Sequence, residues 1–472
     1  MSNALPMPCH ADGDAAAPPC PNATGTLIAA TIGSSLVFAL GSIVNVALPR
    51  MQADFATDAT GAQWIVNAYL LPLSAFVLIG GALGDHGGRR RTFVAGLVVF
   101  AASCVLCAVA WSFPVFLAGR VLEGVAAALI APTSLAILSD AFSGKARGAA
   151  IGTWAGAGAA AGALAPVAGG WIVDTLGWRW AFVAVVPFAG VAAWLALAVV
   201  RESRAARGDR APLDWLGAAL VAAGLLCATW GLVALPAGGA GPTTLGALAV
   251  GAALLAAFLR VEAARGARAM VPLDLFADRA FAGLSAFTFL LYAALGGLLF
   301  LLPYMLIRDA GYGATAAGAA ILPFPLVLGL LSRVAGGALT DRFGPRRMLT
   351  AGAATVAVGF ALFGRLALTG TESLSYAVDV LPALLVLALG MALAVAPLTA
   401  AVLDAAGAAR AGVASGVNNA VSRIGGLVAT ALLGLVLLGS ADDLLAGFAL
   451  AAWVGAVLAA AAAALALATL DG

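Results

Sequence analysis

The stretch GALGDHGGRRR, from Gly81 to Arg91, lies between two long apolar runs. A second copy, GALTDRFGPRR, begins 256 residues later at Gly337 and ends at Arg347. In each copy an apolar run ends in Gly-Ala-Leu, followed by an aspartate, a glycine-containing turn and arginines. Because glycines let helices approach closely, each copy predicts a hairpin between two membrane helices. Two equivalent copies indicate a duplicated architecture, which in membrane transporters means two helical halves around a central path.

The composition of the chain excludes a soluble globular protein. Of its 472 residues, 63% are hydrophobic and only 10% are charged, whereas soluble domains are nearer half apolar and a quarter charged. We therefore predict that the lipid bilayer contacts most of the surface. The formal net charge of +2 gives no indication of a nucleic-acid partner.

No metal, cofactor or catalytic site is predicted. Cys104 and Cys107 form a C-x-x-C inside an apolar run, where they are expected to act as small hydrophobic residues rather than a redox pair. Cys9, His10 and Cys20 lie in residues 1–25, for which a disordered cytoplasmic tail is favoured over a metal site. Since no nucleotide-binding loop or nucleophile–base pair is evident, we expect no enzyme, and any transport must be driven by gradients.

Fourteen membrane spans are predicted from the rule that about 20 apolar residues cross the hydrocarbon layer. Two sets of six, in residues 26–200 and 280–472, flank a segment 201–279 with two extra helices, for which a packing insert is favoured. The predicted spans are Thr26–Leu48, Gln63–Gly84, Thr92–Trp111, Pro114–Ser139, Ala149–Val173, Trp180–Val200, Asp214–Leu235, Thr243–Leu259, Phe281–Met305, Ala314–Leu339, Met348–Leu368, Val378–Leu403, Gly412–Leu438 and Leu444–Leu467.

The distribution of positive charge predicts the orientation of these spans. With the N-terminus inside, 17 of the 24 Lys and Arg residues fall in inner loops, and three, Arg50, Arg179 and Arg308, fall in outer loops. Lys and Arg concentrate in cytoplasmic loops. Both termini are therefore predicted to be cytoplasmic, and a bacterial inner membrane is the expected location.

Further motifs occur within the predicted spans. NVALP (Asn45–Pro49) ends the first, QWIVNAYLL (Gln63–Leu71) opens the second, RVLEG (Arg120–Gly124) lies in the fourth and GVASGVNN (Gly412–Asn419) opens the thirteenth. With the paired hairpin motif they resemble the fourteen-helix drug/proton antiporters of the major facilitator superfamily, the EmrB/QacA type. The resemblance covers nearly the whole chain. It implies an all-α integral membrane protein with the major facilitator fold, two six-helix halves plus two central extra helices.

The resemblance implies that the hairpin motif closes a cytoplasmic gate. A helix N-terminus favours an anion; Asp85 is expected to face the start of the thirteenth predicted span near Ala411, and Asp341 that of the fifth near Ala149. The alternative is that the arginines only set topology. The predicted gating residues are Gly81, Gly84, Asp85, Arg89, Arg90, Gly337, Asp341, Arg342, Gly344 and Arg346.

Glu123 is the one acidic residue well inside a predicted span. It lies on the order of 15 Å from the outer end of that span, and Arg120 shares its helix face. A carboxylate in the membrane is costly and usually faces a cavity or a partner. Because burial favours the neutral acid and the guanidinium favours the carboxylate, the site is predicted to exchange a proton. A static Arg120–Glu123 pair is the equally weighted alternative.

Two departures from the family pattern bear on proton coupling. Leu40 stands where the family carries a first-helix carboxylate, so we hypothesise that Glu123 has taken over the protonation role. In the fifth span, Ala161 and Ala165 replace glycines of the antiporter motif. The helix-packing residues that remain of this motif are Gly152, Pro166, Gly169 and Gly170.

The favoured function is a monomeric secondary transporter that exports amphiphilic or lipophilic small molecules in exchange for protons. An exporter or facilitator of an endogenous metabolite or lipid, without proton coupling, is one alternative and is supported by the missing first-helix acid. A non-transporting membrane receptor or scaffold is the other. Further candidates for lining a substrate cavity, each of which could instead form an interhelical hydrogen bond, are Asn45, Gln63, Asn67, Tyr69, Tyr292, Asn418 and Asn419.

Overall fold

A computed structural model describes residues 22–142, 144–204, 214–266, 269, 271–334, 339–368, 375–407, 410–439 and 444–470. The regular structure of these residues is helical, with fifteen α-helices and short 3-10 and π segments. The helices are α1 (Ala23–Asp54), α2 (Ala59–Gly87), α3 (Arg89–Ala108), α4 (Phe113–Ala141), α5 (Gly144–Thr175), α6 (Trp178–Val199), α7 (Trp215–Gly238), α8 (Pro242–Arg265), α9 (Arg279–Arg308), α10 (Ala314–Ile321), α11 (Pro323–Val334), α12 (Thr340–Gly364), α13 (Leu381–Ala406), α14 (Ala411–Gly439) and α15 (Leu444–Thr469).

These helices account for the fourteen predicted spans. Within the described ranges, 13 stretches are long and apolar enough to cross a membrane, one of them formed by α10 and α11 together. The 29-residue α14 is a further helix of spanning length. The predicted tenth span is interrupted at Pro323, because proline lacks the N–H that would continue the helix. Just before it, the Leu322 N–H donates to the carbonyl of Ala319, a tighter 3-10 bond of 3.2 Å.

Both copies of the hairpin motif interrupt the helical backbone at a glycine. The first break separates α2 from α3 at Gly88, whose φ of 116° lies in the region that favours glycine. The second separates two helical segments within α12 at Gly344, whose φ of 78° and ψ of 157° are not helical. Both copies therefore contain the predicted turn between two helical segments. Gly337 lies outside the described residues.

Glycines bring helices together in both halves, as the high glycine content predicts. A Cβ added at Gly80 of α2 would lie 2.0 Å from the carbonyl oxygen of Ala128 on α4. In the second half, a Cβ at Gly390 of α13 would lie 2.5 Å from the backbone nitrogen of Val356 on α12. Both distances are shorter than real contacts, so each site requires glycine for the observed approach.

The extra helices α7 and α8 pack on the seam between the halves. Leu71 of α2 and Leu427 of α14 form one apolar cluster with Val221 and Leu225 of α7 and Phe258 of α8. The insert thus covers one side of the α2–α14 contact. This position fits the packing role expected from its low content of polar residues.

The two insert helices are joined at one end by buried charges. Asp214 caps α7 by accepting from the N–H of Gly217 at 2.6 Å, and it forms an ion pair with Arg265 at the end of α8. Burial acts to raise the pKa of Asp214, but interactions with the Glu262 carboxyl, Arg265 and the Gly217 N–H together hold it below its ordinary value. Glu262 also accepts from the N–H of Val271 at 2.6 Å.

Candidate substrate and proton site

Two buried charged residues form a pair on α4. Arg120 is 1% exposed and Glu123 is fully buried. Nη1 of Arg120 donates to both carboxylate oxygens of Glu123, at 2.7 and 2.8 Å. Nε donates to the carbonyl of Ile65 on α2 at 3.1 Å. The guanidinium is therefore held by both α4 and α2.

Tyr69 of α2 links this pair to α1. The guanidinium of Arg120 lies over the Tyr69 ring, 4.7 Å from its centroid. The Tyr69 hydroxyl donates to the carbonyl of Val37 on α1 at 3.2 Å. A Cβ at Gly124 would lie 2.3 Å from the carbonyl oxygen of Tyr69, so glycine is required for α4 to approach α2 here. The three helices thus fix the position of the charged pair.

The geometry of the pair restricts what it can do in this conformation. Both oxygens of Glu123 accept from a cation and neither is exposed to solvent. A proton on Glu123 would convert one of its acceptors into a donor and weaken the contact with Arg120. Proton exchange therefore requires a conformation that opens the site, whereas the static-pair alternative requires none.

Gln63 and Asn67 occupy successive turns of α2 and are fully buried. Among the described residues, neither the nitrogen nor the oxygen of either amide has a hydrogen-bond partner. The predicted alternative, an interhelical hydrogen bond, is therefore not formed in this conformation. An unpaired buried polar group costs about 1–3 kcal/mol, so a conformation that gives either amide a hydrogen-bond partner would be favoured by about that amount.

The remaining cavity candidates are spread over both halves. The Thr288 hydroxyl of α9 lies 2.7 Å from Oδ1 of Asn418 on α14, so Asn418 does form an interhelical hydrogen bond. Asn419 is exposed and donates to the carbonyl of Ser415 within its own helix at 3.1 Å. Asn45 on α1 and Tyr292 on α9 are half-buried.

The halves are joined at the ends of α1, α5, α9 and α10. Oε1 of Gln52 accepts from the Tyr304 hydroxyl at 2.7 Å. Asp174, near the end of α5, accepts from the N–H groups of Ala314 and Thr315 at 3.1 and 2.8 Å, which form the first turn of α10. A carboxylate at a helix N-terminus is favoured by the helix dipole. These contacts close the side predicted to be extracellular.

The helix-packing residues near the C-terminal end of α5 pack closely on other helices, whereas the one near its start does not. A Cβ at Gly170 would lie 2.4 Å from the carbonyl oxygen of Ala314, and one at Gly169 would lie 2.6 Å from Cγ1 of Ile43. Pro166 lies inside α5, and its carbonyl oxygen would lie 2.2 Å from a Cβ at Gly318. By contrast, a Cβ at Gly152 would meet no atom within 4 Å. The halves thus touch at the C-terminal end of α5, whereas Gly152 near its start faces open space.

The first copy of the gating motif ties α2, α3, α4 and the segment after α6 together. Oδ1 of Asp85 accepts from Nε and Nη2 of Arg89 at 3.1 and 2.9 Å, and Arg89 also pairs with Asp140 of α4. The carboxylate of Glu202, beyond α6, accepts from the backbone N–H groups of Arg90 and its neighbour at 3.1 and 3.2 Å. Gly84 and Gly81 pack on α4.

The second copy makes fewer such contacts. Asp341 and Arg342 are exposed, and among the described residues Asp341 forms no ion pair. Arg346 donates to the carbonyl of Leu467 at the end of α15 at 2.8 Å. The motif therefore links α12 to α15 through an arginine and leaves its aspartate open to solvent.

Comparison with known proteins identifies the family. Residues 30–430 match the Major Facilitator Superfamily. The chain belongs to this superfamily. The multidrug resistance protein Stp of Mycobacterium tuberculosis is 33% identical over 435 residues, covering 92% of this chain and 77% of Stp. The tetracenomycin C resistance and export protein of Streptomyces glaucescens is 31% identical over 426 residues, covering 89% of this chain and 76% of the exporter. The resemblance inferred from the motifs is confirmed.

Solved structures confirm the major facilitator fold. The peptide transporter-family protein PepTSo superposes with a TM-score of 0.71 at 16% identity, covering 96% of this chain and 98% of that one. A D-xylose–proton symporter superposes with a TM-score of 0.68 at 16% identity, covering 95% and 98%. This chain is therefore a multi-pass membrane transporter with two six-helix halves and two extra helices.

Two residues that contribute to this major facilitator structure were not found from the sequence. Asp174 and Glu202 both bind helix N-termini that lie more than 100 positions away in the chain. In the sequence each is an ordinary acidic residue at the end of a predicted span. The only available signal was their position at a helix end, which does not reveal which N-terminus they meet.

Proposed function

We propose that this chain exports amphiphilic or lipophilic small molecules by alternating access. The observation that carries the proposal is the asymmetry along α5, which is joined to the other half at Asp174 and faces open space at Gly152. A transporter that alternates must close one side while the other is open. The names of the relatives, which describe drug resistance and export, support a drug-like substrate.

We further propose that protons drive this export through Glu123. Support comes from its full burial, its pairing with Arg120 and its link to α1 and α2 through Tyr69. The transporter is proposed to act as a monomer in a bacterial inner membrane. Both termini, and the open end of α5 near Gly152, are proposed to face the cytoplasm. The hairpin motif serves as the cytoplasmic gate.

A second candidate function, a facilitator or exporter of an endogenous metabolite without proton coupling, is favoured by Leu40. This side chain is fully buried in the apolar core. The position of the family's first-helix acid therefore carries no titratable group and faces no cavity in this conformation.

Flux into proteoliposomes tests the proposal. The purified chain is reconstituted and assayed with cationic, neutral and anionic fluorescent amphiphiles, with and without an imposed pH difference. The proposal expects uptake above protein-free vesicles, increased by the pH difference. Uptake that is insensitive to the pH difference favours the facilitator, and the absence of flux for every probe favours a receptor or scaffold.

A further inference from the structure

Arg423 of α14 is a charged residue in the spans whose charge is not compensated. Among the residues that the structure describes, it forms no ion pair and no hydrogen bond, and its Nε is buried without a partner. Glu123 cannot serve it, because both oxygens of that carboxylate already accept from Arg120. An unpaired cation inside a membrane is costly and marks a functional site more often than a structural one.

The position of Arg423 is central in depth. Along α14 it lies about 18 Å from Ala411, at the rise of 1.5 Å per residue. α14 is about 44 Å long, so Arg423 lies well away from both of its ends. Tyr292 lies at a comparable depth, about 20 Å along α9, which is predicted to start on the same side of the membrane as α14.

The face of α14 that carries Arg423 is turned towards the path rather than the lipid. Gly416, two turns earlier on the same face, would bring a Cβ within 2.8 Å of Leu78 on α2. A Cβ at Gly296 of α9 would lie 2.8 Å from Cα of Gly426 on α14, and Tyr292 and Arg423 each lie about one turn before these two glycines. Asn419, one turn before Arg423 on the same face, is exposed, so the polar face of α14 between α2 and α9 is accessible.

We propose that Arg423 binds the anionic group of the transported molecule, and that the substrate class is an amphiphile bearing a carboxylate. A guanidinium offers several N–H donors in a plane that matches a carboxylate. The half-buried ring of Tyr292 supplies an apolar surface with a polar tip at the same depth. This inference rests on the proposed transport function and defines its substrate.

Binding of three matched dansyl probes to the purified full-length chain tests the inference. Dansyl-6-aminohexanoate carries a carboxylate, its primary amide is neutral, and dansylcadaverine carries an ammonium group on a similar chain. We expect the wild type to prefer the carboxylate over the amide by about tenfold, the effect of one charge-assisted contact. Arg423→Gln should reduce that ratio to about one, and Arg423→Lys should retain part of it.

Arg365→Gln is the matched control, because it removes an exposed arginine at the end of α12 and should leave the ratio unchanged. A wild type that binds the carboxylate no better than the amide overturns the inference, as does an Arg423→Gln variant with the wild-type ratio. The wild-type ratio decides the matter even if Arg423→Gln fails to fold. Flux of the neutral amide probe into proteoliposomes is measured separately. Flux without a preference for the carboxylate shows that the proposed subsite is wrong, whereas the absence of flux shows that the proposed transport function is wrong.

Discussion

Replacing Glu123 with glutamine tests the proton-coupling hypothesis most directly. The amide keeps the volume of the carboxylate and one acceptor oxygen for Nη1 of Arg120. It loses the second of the two contacts, at 2.7 and 2.8 Å, and the charge that both contacts share. A hydrogen bond to a charged group contributes about 1.5–3 kcal/mol, which is the expected loss of stability. Arg120 remains held by the Ile65 carbonyl and the Tyr69 ring, so the fold should persist.

The functional effect should be far larger than the effect on stability. Each unit of pH difference supplies about 1.4 kcal/mol per proton. Two units would therefore support up to about 100-fold accumulation at one proton per substrate. We expect Glu123→Gln to reduce gradient-driven accumulation in proteoliposomes to about onefold, because glutamine does not titrate. Downhill exchange of labelled for unlabelled substrate should remain measurable.

Asp274→Asn is the control for this experiment. Asp274 is an exposed carboxylate paired with Arg410 outside the spans, and its substitution should leave accumulation at the wild-type level. If Glu123→Gln accumulates substrate against the gradient as well as the parent does, the reasoning is refuted. The proton would then travel by another route or not at all, and the facilitator would become the better hypothesis.

Three further outcomes are expected. Arg120→Ala leaves the fully buried Glu123 without its cation, so it should cost about 3–5 kcal/mol and lower the unfolding temperature; an unfolding temperature equal to that of the parent would contradict a true ion pair. Asp174→Asn should weaken the contact with the first turn of α10 by about 0.3–2 kcal/mol. The distribution of spin-label distances between the outer ends of α5 and α10 should therefore broaden. An unchanged distribution would show that this contact does not hold the closed side. Asp85→Asn and Asp341→Asn should each increase the spin-label distance between the cytoplasmic ends of α5 and α11. Distances equal to those of the parent would show that neither aspartate contributes to the cytoplasmic gate.

The spans and the charged pair could be predicted because their causes are local. A bilayer requires long apolar helices that satisfy their own backbone hydrogen bonds, so composition and run length identify them without knowledge of packing. The i, i+3 spacing of Arg120 and Glu123 likewise brings the two side chains together on one helix face. The duplicated hairpin motif indicated two halves for the same reason, since it is read within a short stretch.

The contacts between helices could be decided only by the tertiary structure. Asp174 meets α10, Glu202 caps α3, and Thr288 contacts Asn418, each across more than 100 residues of sequence. The sequence alone determined that this is a duplicated helical membrane protein with one charged pair near its centre. Which side is closed, which amides are unpaired and which arginine lacks a partner depend on how helix faces rotate against each other. Helical periodicity defines those faces, but it does not state which faces will meet.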